Sequence, residues 1–195
     1  MTLRILALSG SLRSASSNSA LLRAGAALAP EGVTFDFYEG LGTLPPFDPG
    51  LDLDPTDYRA PGPVVDLRDR IAAADAVLIC TPEYAFGMPG VLKNALDWIV
   101  GMGVIEAKPV AAWAASPMGT GPFGVGGSRA HQGLVWVLTA LGTRYVKEAE
   151  LILPLIRTKM DGAGNVTDPE TIQALQAGVV ALTQAAEARL SEGAP

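Results

Sequence analysis

Five polar side chains follow the first apolar run of the chain, and together they have the chemistry of an anion-binding site. The apolar run, residues 3–8, is broken only by Arg4, and its length suits a strand that is buried on both faces. A helical pattern of apolar residues begins at Asn18, so the segment between is a strand-to-helix loop. The polar side chains that we assign to this site are Ser11, Arg13, Ser16, Ser17 and Asn18.

The position of this loop predicts a phosphate ligand. The first turn of a helix leaves backbone N–H groups without partners and carries partial positive charge, and hydroxyl, amide and guanidinium donors add to that site. If Ser17 or Asn18 merely capped the helix, one or two residues would be explained, but not Gly10, the hydroxyls and Arg13 together. The loop lacks both the Gly-Lys-Ser/Thr of a Walker loop and the spaced glycines of a dinucleotide fingerprint.

A second loop, residues 82–89, places apolar side chains where polar turn residues are expected. A proline at each end stiffens the loop. Two interpretations remain open: the apolar side chains line a flat aromatic ligand, or they pack against the long connection 40–63 or a partner subunit. These side chains are Tyr84, Phe86 and Met88.

Strand and helix patterns alternate along the chain, which predicts a parallel sheet covered by helices on both faces. Such a sheet binds ligands beyond the carboxyl ends of its strands, where the loops after the first, third and fourth strands lie. The connection 40–63 contains six prolines, so little regular structure is expected there. The predicted strands are residues 3–8, 33–38, 76–81 and 108–116, with short extended pieces at 143–146 and 151–155; the predicted helices begin at residue 18 and cover residues 64–74, 90–100, 128–141 and 169–191.

Composition narrows the functional classes. With 195 residues we expect a single domain over 1–195, and the net charge of −6 without a basic run disfavours nucleic-acid binding. No apolar run approaches the length of a membrane span, and no signal peptide is evident, so we expect no membrane association. The one cysteine, Cys80, falls within an apolar strand, where a buried and inert thiol in a cytoplasmic protein is expected.

Two motifs are highly specific when they occur together: Gly10-Ser-Leu-Arg13 with Ser16 and Asn18, and Pro82-Glu-Tyr84 followed by Pro89-Gly-Val-Leu-Lys-Asn-Ala-Leu-Asp-Trp98. In this combination the chain resembles the NADPH-dependent FMN reductase family, which includes flavodoxin-like quinone, azo-dye and chromate reductases. The resemblance covers residues 3 to about 141. It implies a flavodoxin-like, three-layer, doubly wound α/β sandwich with a five-stranded parallel sheet in the order 2-1-3-4-5, and assembly as a homodimer or homotetramer.

The resemblance also implies FMN as cofactor and NADPH or NADH as hydride donor. At the matching positions, Ser11, Arg13, Ser16 and Asn18 would hold the FMN phosphate, the backbone of Pro82, Glu83 and Tyr84 would run along the isoalloxazine ring, and Ser116 would meet the flavin side. The family usually has asparagine after the Pro-Glu-Tyr triplet, whereas this chain has Ala85. One side-chain hydrogen bond near the flavin or its partner substrate is therefore missing. The loop 118–127 is longer and richer in glycine than the family pattern, so no ligand contacts are transferred to it.

No acid–base pair is evident, and the lone histidine, His131, is expected at the surface or an interface. This absence suits an enzyme whose flavin carries the hydride chemistry. We therefore expect an NAD(P)H-dependent oxidoreductase that passes hydride through FMN to quinones or similar small acceptors, such as flavin, azo dyes or chromate. The alternatives are a flavodoxin-like electron carrier without its own nicotinamide site, a phosphate-binding hydrolase, and a non-catalytic scaffold.

Overall fold

A parallel sheet forms the centre of the computed structural model, which describes residues 2–52, 60–122 and 124–193. The three central strands of this sheet are apolar and almost completely buried, as expected for strands covered on both faces. Their order is β2-β1-β3-β4, followed by a fifth position, so the predicted order 2-1-3-4-5 is confirmed. The first four strands are β1 (Leu3–Ser9), β2 (Val33–Tyr38), β3 (Ala76–Thr81) and β4 (Pro109–Ala115).

Two short strands share the fifth position of the sheet. A hairpin, β5 (Thr120–Gly121) with β6 (Gly124–Val125), precedes them in the chain and lies outside the main sheet. β7 (Arg144–Tyr145) pairs with the first residues of β4, and β8 (Leu151–Leu153) pairs with its last residues. The 3₁₀ turn Lys147–Ala149 separates the two strands, and the Trp113 indole N–H donates to the Ala149 carbonyl at 2.8 Å. This hydrogen bond holds the 3₁₀ turn against β4 of the sheet.

Helices cover both faces, and the alternation of side chains along β1 separates the two cores. Leu3, Ile5 and Ala7 pack with α1 and α5, whereas Leu6 and Leu8 face the opposite way and pack with α2, α3 and α4. The result is the three-layer arrangement predicted above. The helices are α1 (Ser17–Ala27), α2 (Gly62–Ala73), α3 (Gly90–Asp97), α4 (Ser128–Ala140) and α5 (Pro169–Ser191).

The helix α3 ends at Asp97, whereas the sequence pattern predicts that it ends at residue 100. The amides of Ile99 and Val100 bond to carbonyls three residues earlier, so the chain tightens into a turn there. The buried carbonyl of Trp98 accepts a hydrogen bond of 2.9 Å from Nε of buried Arg68. Arg68 thereby fixes the end of α3 against α2.

Asn94 and Trp98 anchor the long connection after β2. The Asn94 amide accepts from the Phe47 N–H at 2.7 Å and donates to the Pro45 carbonyl at 2.9 Å, and the Trp98 indole donates to the same carbonyl. Two 3₁₀ turns, Gly40–Thr43 and Pro49–Leu51, are the regular structure in the described part of the connection before residue 53. Predictions for residues 53–59 lie outside the described residues. Among the described helices, none has both the length and the apolarity needed to cross a membrane.

His131 is buried, which corrects the expectation of a surface histidine. Its Nε2 lies 3.2 Å from the Ala112 carbonyl and 3.3 Å from the Tyr145 hydroxyl, which donates to Glu150 at 2.9 Å. A carbonyl only accepts, so the neutral ring carries its proton on Nε2. Burial lowers the pKa of His131, although Glu150 and the Ala112 carbonyl oppose that change.

The lowered pKa of His131 predicts that the fold loses stability in mild acid. The unfolded chain binds the proton more tightly than the folded chain, so the free energy of unfolding falls as the pH drops below about 6.5. His131→Gln keeps an amide donor for the Ala112 carbonyl but does not titrate, so its stability should depend less on pH between 7.5 and 5. Urea unfolding at several pH values measures this, with Gln132→His, an exposed neighbour, as the control. Equal pH dependence in His131→Gln and the native chain would contradict the assignment.

Candidate functional site

The loops after β1, β3 and β4 begin side by side because these strands are parallel neighbours in register. Ser9 pairs with Cys80, and Thr81 pairs with Ala114, so all three strands end at the same edge. The Gly10 N–H donates to the Cys80 carbonyl at 2.8 Å, which ties the start of the first loop to the end of β3. The residues that the sequence assigns to phosphate and to ring contacts are thus brought to one edge.

The start of α1 offers backbone donors for an anion. Ser16 is the N-cap: its hydroxyl accepts from the Ser19 N–H at 3.4 Å, so the capping role falls to Ser16 and not to Ser17 or Asn18. The N–H groups of Ser17 and Asn18 have no acceptor among the described residues. Two adjacent unpaired amides at the positive end of a helix are the donors that a phosphate group requires.

The rest of the first loop is held in place by its own hydroxyls. Ser9 Oγ accepts from the Ser19 hydroxyl at 2.9 Å, and Ser11 Oγ accepts from the Arg13 N–H at 3.4 Å. The Arg13 guanidinium is exposed and pairs with no carboxylate in the described ranges. Ser11 and Arg13 line a cavity of about 270 Å³ beside the loop. The cation is therefore available to an anionic ligand at this edge.

Asn18 connects this loop to the core through Cys80. The thiol donates to Asn18 Oδ1 at 3.2 Å, and both side chains are buried. This leaves the amide nitrogen of Asn18 as its donor toward a ligand. Cys80 is buried, as predicted, and this burial raises the pKa of its thiol far above the usual value. The inertness of the thiol stays a prediction.

Glu83 links the second loop to the start of α4. Its carboxylate accepts from the backbone N–H groups of Arg129 and Ala130 at 2.9 and 3.0 Å. An acidic side chain is favourable at a helix N-terminus, where it satisfies free amides and meets positive charge. The motif residue thus has a positioning role that the sequence did not show: it fixes the loop after β3 relative to the loop after β4.

The tip of the second loop is a tight turn in an unusual backbone conformation. Tyr84 and Gly87 exchange hydrogen bonds of 2.9 and 3.0 Å, and the two residues between them, Ala85 and Phe86, have φ angles of 48° and 64°. Positive φ at both central residues is typical of a type I′ turn, which favours asparagine and glycine. Tyr84 and Phe86 are 51% and 54% exposed, and the Arg129 guanidinium lies 5.3 Å from the centre of the Phe86 ring. The turn therefore presents two aromatic rings at the edge of the sheet.

The third loop folds back on itself through glycine. A Cβ at Gly126 would lie 2.4 Å from the Met118 carbonyl oxygen and 2.8 Å from Ser116 Oγ, so only glycine fits. Ser116 is buried, and its hydroxyl accepts from the Met118 N–H at 3.1 Å. Its hydroxyl thus stabilises the loop, and its contact with a ligand stays a prediction.

The comparisons with known proteins agree with this geometry. The sequence model of a family described as NADPH-dependent FMN reductase matches residues 3–157. A 2-hydroxy-1,4-benzoquinone reductase from a Burkholderia species is 37% identical over 180 residues, which are 90% of this chain and 92% of the relative. An NAD(P)H-dependent FMN reductase of Pseudomonas aeruginosa is 33% identical over 92% of this chain and 93% of its own length. Among solved structures, the flavoenzyme NAD(P)H:(acceptor) oxidoreductase FerB of Paracoccus denitrificans superposes with a TM-score of 0.79 at 32% identity, covering 96% of this chain and 98% of that one.

The left-handed conformation of Ala85 predicts that this position is strained. In the left-handed region, a residue other than glycine or asparagine costs about 1 kcal/mol. Ala85→Gly and Ala85→Asn should therefore each raise the free energy of unfolding by about 0.5–1 kcal/mol. Urea denaturation measures the change. Ala177→Gly, at an exposed position of α5, is the matched control and should lower stability by a similar amount. A loss of stability in Ala85→Gly would show that the turn is not strained.

Proposed function

The chain belongs to the NADPH-dependent FMN reductase family and is an NAD(P)H-dependent oxidoreductase that uses FMN, and we propose that its acceptors are quinones and chemically similar small molecules. The observation that carries this proposal is the meeting of unpaired helix amides and half-exposed aromatic rings at one edge of the sheet. The amides suit the phosphate of FMN, and the rings suit flat, apolar acceptors. The name of the Burkholderia relative supports the choice of acceptor class.

The first loop fits the phosphate end of FMN. We assign the phosphate to the free N–H groups of Ser17 and Asn18, with the Arg13 guanidinium as the charged partner. The hydroxyls of Ser11, Ser16 and Ser17 and the amide nitrogen of Asn18 complete the donor set. Because the protein as a whole is acidic, the phosphate is attracted by this local group of donors and not by the net charge.

The second and third loops fit the ring of FMN. We assign the backbone of Pro82, Glu83, Tyr84 and Ala85 to one edge of the ring and the loop that begins at Ser116 to its side. FMN supplies the hydride chemistry when it is bound. The chain contributes a fixed loop, since Glu83 holds it against α4, and an edge that presents the half-exposed rings of Tyr84 and Phe86. No side chain is assigned a catalytic proton transfer.

Ala85 bears on the choice of acceptor. Its methyl group gives no hydrogen bond where the family usually has an asparagine amide, so acceptors are selected by stacking and shape. A lost or added contact in such a slot changes discrimination by only about 1–3 kcal/mol. A broad range of quinones is therefore expected.

We also propose that a second copy of the chain completes this site in a homodimer or homotetramer. Arg129, Gly133 and Trp136 lie at intervals of four and three residues, which place them on one face of α4. Phe86 of the second loop lies beside Arg129, and Met88 lies against Gly133. Trp136 is 69% exposed, an unusual state for a tryptophan, which is a large and mostly buried residue. This exposed ring supports a contact with a second copy.

We further propose that the protein is cytoplasmic and that residues 1–195 form one domain. The single, buried cysteine supports the cytoplasmic location.

An electron carrier of the same fold would bind FMN equally well but would have no nicotinamide site of its own. Anaerobic addition of NADPH or NADH to the FMN-loaded protein separates the two functions. The reductase should lose its visible flavin absorbance within the assay, and addition of a benzoquinone should restore it. A stable absorbance after both nucleotides would support the carrier and contradict the proposed function.

The unpaired guanidinium predicts that Arg13→Ala weakens FMN binding without unfolding the protein. A charge-assisted contact to phosphate contributes about 1.5–3 kcal/mol, which corresponds to roughly one to two decades in affinity. Equilibrium dialysis with FMN measures this. Lys147→Ala, an exposed cation outside the edge, is the control and should bind FMN like the native chain. An unchanged dissociation constant in Arg13→Ala would remove this residue from the phosphate site.

A further inference from the structure

A second, larger cavity lies along the outer side of α1. Its volume is about 780 Å³, within the range of roughly 300–1,000 Å³ that is common for small-molecule sites. One wall is α1 from Ser16 to Ala27, a distance of about 17 Å along the helix axis. The other wall is the connection between β8 and α5 with the start of α5. Among the residues that line this cavity, Ser16 and Ser17 are assigned to the FMN phosphate, and the others have no role in the proposed FMN site.

Two arginines line this cavity and pair with no carboxylate in the described ranges. Arg23 lies on α1, and Arg157 lies in the 3₁₀ turn Ile156–Lys159 after β8. In contrast, Arg4, Arg70 and Arg144 all form ion pairs. The chain has a net charge of −6, so a cavity lined by two cations without carboxylate partners in the described ranges is more positive than the protein as a whole.

The carboxylate at the cavity, Asp161, is engaged within its own loop. Its oxygens accept from the Ala163 and Asn165 N–H groups at 2.9 and 2.8 Å and from the Asn165 side-chain amide at 2.9 Å. These hydrogen bonds lower the pKa of Asp161 and hold it as an anion within the turn. The charged side chains that line the cavity are therefore two cations and one anion whose oxygens are already hydrogen-bonded.

The walls between the charged groups form an apolar slot. Small side chains of α1, Ala20 and Ala24, face the larger Met160, Val166 and Ile172. Each of these five is only partly buried, so apolar surface remains accessible in the cavity. An apolar lining of this kind suits a flat heteroaromatic ring.

We infer that this cavity binds the adenosine end of the hydride donor, with Arg23 and Arg157 holding the 2′-phosphate that NADPH carries and NADH lacks. The inference rests on the proposed function, because it assigns part of the donor to the same edge. Arginine is the residue that accommodates a 2′-phosphate in other dinucleotide sites. The cavity begins at Ser14, Ser16 and Ser17, so a ligand that extends from it would approach the loop assigned to the FMN phosphate.

Arg23 lines both the smaller cavity beside Ser11 and Arg13 and the larger cavity along α1, and Arg157 is among the lining residues of the larger one. Arg23 is six residues beyond Ser17 on α1, which places its backbone about 9 Å farther from the start of the helix. The FMN phosphate already has Arg13 and two free amides at the start itself. A second phosphate group is therefore the ligand that matches the arginines along the cavity.

Calorimetric titration with adenosine 2′,5′-bisphosphate and with adenosine 5′-monophosphate tests the inference without relying on turnover. The FMN-loaded native chain should bind the bisphosphate more tightly. Arg23→Gln and Arg157→Gln should each weaken its binding about 3- to 10-fold, and the double variant about 10- to 100-fold, while binding of the monophosphate changes little. Lys147→Gln serves as the matched control because Lys147 is an exposed cation outside the cavity.

Steady-state kinetics with both donors provides the second readout. The ratio of kcat/KM for NADPH to that for NADH should fall in the double variant by the same factor, while FMN affinity stays constant. Equal binding of the two adenosine nucleotides, or an unchanged ratio in the double variant, would overturn the inference while leaving the reductase activity intact. A loss of FMN affinity in the variants would also overturn it, since the arginines would then serve the flavin phosphate. Failure of the proposed function is distinguishable, because neither donor would then reduce the flavin in the native chain.

Discussion

The parallel pairing of β3 with both β1 and β4 is the constraint on which the site depends. It ends three strands at one edge, so that loops separated by about 70 and 30 residues in the sequence begin side by side. The three strands can hold this arrangement because most of their side chains are apolar and are buried on both faces. The first loop contributes anion donors, and the second contributes aromatic rings.

Local polar contacts fix the loops themselves. Glu83 ties the second loop to the first turn of α4, Ser16 caps α1, and Gly126 allows the third loop to close over Ser116. Such preorganisation reduces the loss of conformational freedom when a cofactor binds. The strained turn at Ala85 is the exception, and it lies where the rings are presented. Strain at a ligand-binding tip is common where the backbone conformation serves a contact.

Much of the fold could be predicted from the sequence because its signals are local. Continuous apolar strands and alternating elements indicated the sheet, and the hydroxyl-rich loop residues indicated the group of donors at the start of α1. The burial of His131, the amides bound by Glu83 and the left-handed Ala85 could not be predicted, because each depends on a partner distant in the sequence or on the closure of a turn. The same holds for Arg23 and Arg157, which share a cavity only after α1 and the β8–α5 connection have packed together.

We propose that FMN is held where the start of α1 meets the ends of β3 and β4. A crystal structure of the chain grown with FMN is the most direct test of this position. We expect a phosphate within hydrogen-bond distance of the Ser17 and Asn18 amides and of the Arg13 guanidinium, with the ring beside residues 82–85. A phosphate held instead by Arg23 and Arg157, with the ring in the cavity along α1, would contradict it.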